Sequence, residues 1–259
     1  MIEEATERER SGRIIGKILP AAIRLWLRSQ AEQVENISIN LLGRDRDLLS
    51  GYVPGISLAA QQAIYQGIRI GHLQLSAEDI RINIGQVVRG KPLRLLKAFP
   101  VVGEITLTEA DLNASLASAL LVQGLTEFWR SLVQEPSMAA SVKSRYGTAP
   151  LHPDAVVENA SAKMSGECLG VCLGLQAEGH SIQDPVILAA GLTVTDSRYL
   201  QLLSARWIES LEEVSDLSSG EPIDALQDFQ WNLGSDTKID YLRLYAGQMD
   251  IKGQITVNP

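Results

Sequence analysis

The chain has 259 residues, with 23 basic and 31 acidic side chains and a net charge of −8. This length allows one large domain or two smaller ones, and the overall acidity argues against a general nucleic-acid-binding protein. The charge is uneven: residues 11–100 hold 12 basic and 6 acidic side chains, whereas residues 101–259 hold 9 and 21. The basic part is suited to a negatively charged surface, while the acidic part favours solubility.

Targeting signals are not evident in the sequence. No stretch approaches the ~18 to 20 apolar residues that a membrane-spanning helix needs. The first ten residues, MIEEATERER, are acidic and lack the apolar centre of a secretory signal. We therefore expect a cytoplasmic protein that attaches peripherally to a membrane.

Residues 13–28, RIIGKILPAAIRLWLR, have the pattern of an amphipathic helix, which we predict to run from Ser11 to Val34 with a kink or break at Pro20. The basic side chains fall on one side of this helix, opposite an apolar side that contains a tryptophan. The pattern suits a helix lying on an anionic bilayer, and it also suits an ordinary helix packed on a sheet, which is the commoner case. The docking candidates in this segment are Arg13, Lys17, Arg24, Trp26 and Arg28.

The apolar period then changes from about 3.6 to 2, which predicts strands. They involve residues 34–41, 68–75, 80–84 and 105–107, with a bulge at Gly71-His72. Thr108 and Asp111 have the spacing of a capping box. The apolar spacing that follows predicts a pair of helices over residues 108–134.

Residues 136–153 are rich in Ser, Gly and Pro, so we predict a loop there and the best candidate domain boundary. Residues 1–12 are expected to be frayed. Residues 13–135 and the β-rich residues 154–259 are expected to form one continuous domain. The strands predicted in the second half are 155–164, 167–176, 185–195, 199–207, 237–246 and 248–257.

Two segments share an apolar pattern at a constant separation of 169 residues, and we interpret both as a bulged strand, a turn and a strand. Aliphatic residues on alternating strands, with few aromatic ones, predict a broad apolar face. This face would contact the protein's own helices or an acyl chain. The candidates for lining a lipid groove are Ile70, Leu73, Leu75, Ile80 and Ile82, with Ile239, Leu242, Leu244, Met249 and Ile251.

A second basic stretch, RINIGQVVRGKPLRLLK at residues 81–97, contains no acidic residue. It predicts either a solvated face or contact with lipid headgroups, where each Lys or Arg near an anionic leaflet contributes roughly 1 kcal/mol. The docking candidates here are Arg89, Lys91, Arg94 and Lys97.

No arrangement of residues in the sequence points to catalysis or to a metal. The motifs GxSxG, HExxH and GxGxxG and the P-loop are missing, and the three histidines are scattered. Cys168 and Cys172 are four apart on a predicted strand, so their Cα atoms would lie ~13 Å apart, beyond the ~7 Å limit of a disulfide. We expect two reduced apolar residues, no catalytic or metal site, and no cofactor other than a bound lipid.

Three segments resemble the LmeA-like phospholipid-binding family. They are LLSGYVPGISLAAQQAIYQGIRIGHLQLSAEDIRINIGQVVRGKPLRLL, LTEADLNASLAS and the ending GSDTKIDYLRLYAGQMDIKGQITVNP. The resemblance extends over roughly residues 14–135 and 155–259. It implies a tubular lipid-binding architecture, in which a long curved sheet wraps on helices and leaves an apolar groove for lipid tails, and it implies lipid binding without an established chemistry.

The sequence thus predicts an α+β fold, in which a long curved, mostly antiparallel sheet packs on amphipathic helices. The predicted function is non-catalytic binding of phospholipid at an anionic membrane surface. Such binding would contribute to lipid transfer or to membrane-lipid homeostasis. Two alternatives stay open: a peripheral protein that docks its basic face on an acidic protein partner, and a carrier of a quinone, carotenoid or other apolar molecule.

Overall fold

A computed structural model of the chain describes Leu19, residues 21–26, Ser29 and residues 32–215, 220–227 and 229–259. Helix α1 includes Leu19, residues 21–26 and Ser29, so the predicted amphipathic helix is helical at these positions. The rest of that prediction up to residue 31 lies outside the described residues. The first strand begins at Gln33, and the predicted helix end at Val34 is therefore wrong.

The other helices are mostly short and the strands are long. The helices are α2 Asp45–Leu49, α3 Ile84–Val87, α4 Glu109–Ser115, α5 Ala119–Gln134 and α6 Pro136–Tyr146, with 3-10 turns at Ala149–Leu151, Leu211–Ser215 and Asp224–Leu226. The strands are β1 Gln33–Leu42, β2 Tyr52–Tyr65, β3 Ile68–Arg81, β4 Phe99–Thr108, β5 Val156–Ser165, β6 Cys168–Ala177, β7 His180–Ser181, β8 Val186–Thr195, β9 Tyr199–Trp207, β10 Glu221–Pro222, β11 Gln230–Asn232, β12 Thr237–Tyr245 and β13 Gln248–Val257.

The strands form two sheets. The six-stranded sheet has the order β1-β2-β3-β4-β13-β12, and the seven-stranded sheet has the order β10-β9-β8-β6-β5, with β7 beside β6 and β11 beside β9. The β1–β2 pair and every pair of the seven-stranded sheet are antiparallel. This architecture confirms the predicted α+β class with its large antiparallel sheets.

Contacts divide the chain into two compact units that each use distant parts of the sequence. Unit 1 takes the described residues up to Tyr65, then His72–Ile105 and Gly253–Pro259. Unit 2 takes Gln66–Gly71 and Thr106–Lys252. The single continuous domain expected from the sequence stays a prediction.

The core of unit 1 is a cluster of mostly aliphatic side chains from the helices, strands and loops of that unit. Helix α1 buries Leu19 and Ile23 in it, and Trp26 packs against it. The protein itself therefore covers these three apolar side chains of α1, and such burial gives a short amphipathic helix most of its stability. Leu25 on the same helix is 72 % exposed.

The core of unit 2 lies between the seven-stranded sheet and helices α5 and α6. Trp129 and Leu132 of α5 and Met138 and Val142 of α6 are completely buried there. The loop predicted at residues 136–153 is wrong for most of its length. Pro136 occupies the first helical turn, where its missing N–H costs nothing, and two buried residues four apart hold α6 in place.

Strand positions in the second half of the chain were predicted accurately. The six predicted strands correspond to β5, β6, β8, β9, β12 and β13, and each end agrees within one residue. Their boundaries are readable because Gly, Asp and Ser turns separate long alternating runs.

Two sequence interpretations near β3 are wrong. Ile82 makes only an isolated bridge with Leu95, and Ile84 begins α3, so the strand ends at Arg81. The repeated pattern is not a repeated hairpin, because β3 runs without a turn whereas the later segment is split between β12 and β13. Asp79 near the end of β3 has a φ of +56°. The bulge expected at Gly71-His72 stays a prediction, although the alternation of half-buried and exposed side chains changes phase there.

The predicted capping box begins α4. The Thr108 hydroxyl accepts a hydrogen bond from the backbone N–H of Asp111 at 3.1 Å, and the Thr108 N–H donates to the Asp111 carboxylate at 3.1 Å. Both interactions satisfy N–H groups that the helix itself cannot pair.

Removing this cap should destabilise the fold measurably. We expect Thr108→Ala to lower the free energy of unfolding by about 1 kcal/mol, because the Asp111 N–H loses its acceptor. Thr108→Ser keeps the hydroxyl and should retain most of the stability. Urea unfolding followed by circular dichroism would measure both variants, and equal losses in the two would exclude the cap as the cause.

Candidate functional site

Unit 1 carries several aliphatic side chains on the core side of its sheet. Ile39 pairs with Leu58 and Leu41 with Ile56 across β1 and β2, so these four residues share one face. Ile39, Leu41 and Ile56, together with Val101 of β4, pack against the buried core of unit 1. This packing identifies the face as the inner one.

The alternation of side chains extends this inner face beyond the core. Ile37 and Leu58 each lie two residues from Ile39 and Ile56, and Leu73 and Leu75 continue the register of Ala77, which is buried in the core of unit 1. All four are half-buried, and among the described residues none of them belongs to a core cluster. We name Ile37, Leu58, Leu73 and Leu75 the open aliphatic patch.

The opposite face of the same strands is polar and exposed. It carries Ser38 and Asn40 on β1, Ser57 on β2, and Gln74 and Ser76 on β3. The polar face is therefore the outer surface of the sheet. The aliphatic residues on the opposite face belong to the inner side, although they are only partly covered. Gly103 of β4 leaves space for the Leu75 side chain, since a Cβ at this position would lie 3.0 Å from Leu75 Cδ2.

The ten predicted groove residues fall into four environments. Leu73 and Leu75 belong to the open aliphatic patch, whereas Ile80 and Ile82 are buried in the core of unit 1. In unit 2, Ile70 and Ile239 are half-buried, and the other four form a small cluster with Met164. Those four are Leu242, Leu244, Met249 and Ile251. Ile37 and Leu58 were missed, although the alternation in NISINLL and GISLAA contained the signal.

The predicted docking residues of α1 are only partly described. Arg13, Lys17 and Arg28 lie outside the described residues. Arg24 is exposed, while Trp26 packs against the core of unit 1. Trp26 therefore contributes to the core of unit 1 and not to a docking surface.

The second basic segment forms a compact loop, residues 83–97, which we name the basic loop. Asn83 joins its two ends: its Nδ2 donates to the carbonyl of Pro92 at 3.0 Å, and its Oδ1 accepts from the Arg94 N–H at 2.7 Å. The Lys91 N–H also donates to the carbonyl of Gln86 at 3.0 Å. The loop is thus held by hydrogen bonds between residues close to its two ends.

The four predicted cations of the basic loop are all exposed. They are Arg89, Lys91, Arg94 and Lys97. Arg81, just before the loop, differs from them because its guanidinium lies 4.4 Å from the centre of the Tyr52 ring. A shallow depression of about 460 Å³ lies beside the loop, lined by Ser50, Ile82, Asn83, Ile84, Gly85, Gln86, Arg89 and Leu96.

Titratable groups elsewhere form ion pairs, among them those of Arg145 with Glu209 and Glu221. His152 lies 3.2 Å from Glu178, while His72 and His180 are exposed. In the part of the chain that the structure describes, no three His, Cys, Asp or Glu side chains are grouped as metal ligands. Within the same residues, no helix is both long and apolar enough to cross a membrane.

Cys168 and Cys172 are free, half-buried thiols on β6. Burial raises the pKa of the Cys168 thiol, and Glu167 raises it further. Burial also raises the pKa of the Cys172 thiol, against a smaller opposing effect of its hydrogen bond with Ser161. At neutral pH both side chains therefore carry less of the reactive thiolate than an exposed cysteine does.

We expect both cysteines to react slowly in the folded protein. The chain should have the same intact mass with and without reductant, and alkylation near neutral pH should be slower than in urea. The rate of alkylation of the folded protein should increase at a higher pH than the rate for a free thiol does, because the pKa of each cysteine is raised. Rapid stoichiometric alkylation of the folded chain would contradict this burial.

A comparison with known protein families identifies the chain. The family model described as LmeA-like phospholipid-binding matches residues 11–254. No curated protein and no solved structure matches the chain significantly.

Proposed function

The chain belongs to the LmeA-like phospholipid-binding family, and on this basis we propose that it binds a phospholipid without catalysing a reaction. The open aliphatic patch holds part of an acyl chain. The protein acts at the surface of an anionic membrane, to which it attaches peripherally. Lipid transfer and membrane-lipid homeostasis are the roles that such binding would serve.

The observation that carries this proposal is the partial burial of Ile37, Leu58, Leu73 and Leu75 on the inner face of the unit 1 sheet. Four aliphatic side chains on one face of the sheet offer an acyl chain a surface of matching chemistry. Each methylene group removed from water contributes roughly 0.8 kcal/mol, so contact with a few of them gives useful affinity. These aliphatic side chains form no hydrogen bonds with a ligand. This suits a lipid tail, because the tail has no hydrogen-bonding groups.

The direct test is native mass spectrometry of gently purified full chain, followed by identification of whatever dissociates. A retained phospholipid would support the proposal. A retained quinone or carotenoid would favour the carrier of another apolar molecule. A clean mass, together with no uptake of phospholipid from vesicles, would contradict lipid binding and favour a docking protein.

A further inference from the structure

The basic loop presents apolar and cationic side chains side by side. Val88 is 50 % exposed and Leu96 is 61 % exposed, and both lie among the four exposed cations. The loop contains no acidic residue, and none of its cations forms an ion pair with a described residue. Exposed apolar residues framed by unpaired positive charges are uncommon on a surface that meets only water.

The framework beneath these side chains is fixed. Ile84, Val87 and Leu93 are buried in the core of unit 1 and anchor the loop from below. Asn83 connects its two ends, as described above. A surface held in this way loses little conformational freedom when it binds, so more of the contact energy remains as affinity.

The chemistry of the loop favours a bilayer over a protein partner. Its exposed apolar residues are aliphatic, and it contains no Trp or Tyr. Protein interfaces are enriched in aromatic residues and depleted of lysine, whereas two of the four cations here are lysines. The loop is also strongly positive in a chain whose net charge is −8, which matches an anionic leaflet.

We propose that the basic loop is the element through which this protein docks on an anionic phospholipid bilayer, an inference that rests on the proposed function. Arg89, Lys91, Arg94 and Lys97 bind lipid phosphates, while Val88 and Leu96 enter the boundary between headgroups and acyl chains. Leu19, Ile23 and Trp26 of α1 do not take this part, because they are engaged in the core of unit 1.

Flotation with vesicles tests the charged part of this surface. The variant R89E/K91E/R94E/K97E should bind equimolar phosphatidylcholine and phosphatidylglycerol vesicles on the order of a hundredfold or more weakly, since each cation near the leaflet is worth about fivefold. The control R69E/R130E/R198E/K238E changes the net charge equally at exposed cations of unit 2 and should bind as the unaltered chain does. Equal losses in the two variants would overturn the proposal, because net charge alone would then explain binding.

The apolar part needs a separate variant that keeps every charge. V88S/L96S should bind the same vesicles several-fold more weakly at physiological salt and become more sensitive to added salt, because only screened charge contacts remain. In a complementary experiment, tryptophan fluorescence of L96W should shift to shorter wavelength when anionic vesicles are added, and it should not shift with pure phosphatidylcholine. No shift with either vesicle would overturn insertion of this residue.

These measurements also separate docking from lipid binding. A charge-reversed loop that retains its phospholipid in native mass spectrometry but no longer floats supports the docking surface and leaves the proposed function intact. An unaltered chain that floats normally but never carries lipid would contradict the proposed function alone. An unaltered chain that binds immobilised polyglutamate and ignores vesicles would overturn the docking proposal in favour of an acidic protein partner.

Discussion

The double substitution L58W/L73W is expected to expel bound phospholipid while the chain remains folded. Both side chains are half-buried on the open aliphatic patch, so the larger rings can occupy space intended for the ligand. Displacing about four methylene groups at roughly 0.8 kcal/mol each would weaken retention by about 3 kcal/mol, on the order of a hundredfold. Native mass spectrometry would measure the lipid-bound fraction.

The matched control places the same rings on the other side of the same strands. S57W/Q74W adds tryptophans to β2 and β3 on the exposed polar face and should leave lipid retention unchanged. Urea unfolding of both variants would verify that neither has lost its core. If L58W/L73W folds normally and retains lipid as fully as the control does, the open aliphatic patch is not the binding surface.

The second large effect is expected from Trp129 in α5. This side chain is completely buried in the core of unit 2, and its Nε1–H donates to the carbonyl of Pro150 at 3.0 Å. Trp129→Ala removes the ring and leaves that carbonyl without a partner, so the free energy of unfolding should fall by about 3 to 5 kcal/mol. Urea denaturation monitored by circular dichroism would measure the loss.

Two further variants separate packing from hydrogen bonding. Trp129→Phe keeps most of the apolar contact and should cost about 1 to 3 kcal/mol, chiefly through the unpaired Pro150 carbonyl. Arg130→Ala changes the exposed neighbour and should stay within about 0.5 kcal/mol of the unaltered chain. A loss below about 1 kcal/mol for Trp129→Ala would contradict its place in the core.

Local sequence signals predicted much of this fold. The strands of the second half and the Thr108–Asp111 cap were readable because their information lies within a few neighbouring residues. Helix α6 was missed because Met138 and Val142 are its only buried anchors in a polar segment. Strand β2 was not predicted either, since Pro54 and Gly55 interrupt its alternating pattern.

The candidate site was harder to predict than the fold, for a physical reason. Alternation tells which side of a sheet a residue faces, but it does not tell how deeply it is buried. Leu73 and Ile80 look alike in sequence, yet Leu73 is only half-buried on the open aliphatic patch and Ile80 is 6 % exposed in the core. Likewise, the hydrogen bonds of Asn83 to Pro92 and Arg94 depend on a loop closure that periodicity cannot describe.

The interleaving of the two units limits how this protein could have arisen. The chain passes between unit 1 and unit 2 four times, after Tyr65, Gly71, Ile105 and Lys252. Neither unit therefore corresponds to one contiguous stretch of gene, and a single recombination event cannot transfer either of them whole. Such an architecture is inherited intact or altered residue by residue, so its diversity should come from substitutions and loop insertions and not from exchange of modules.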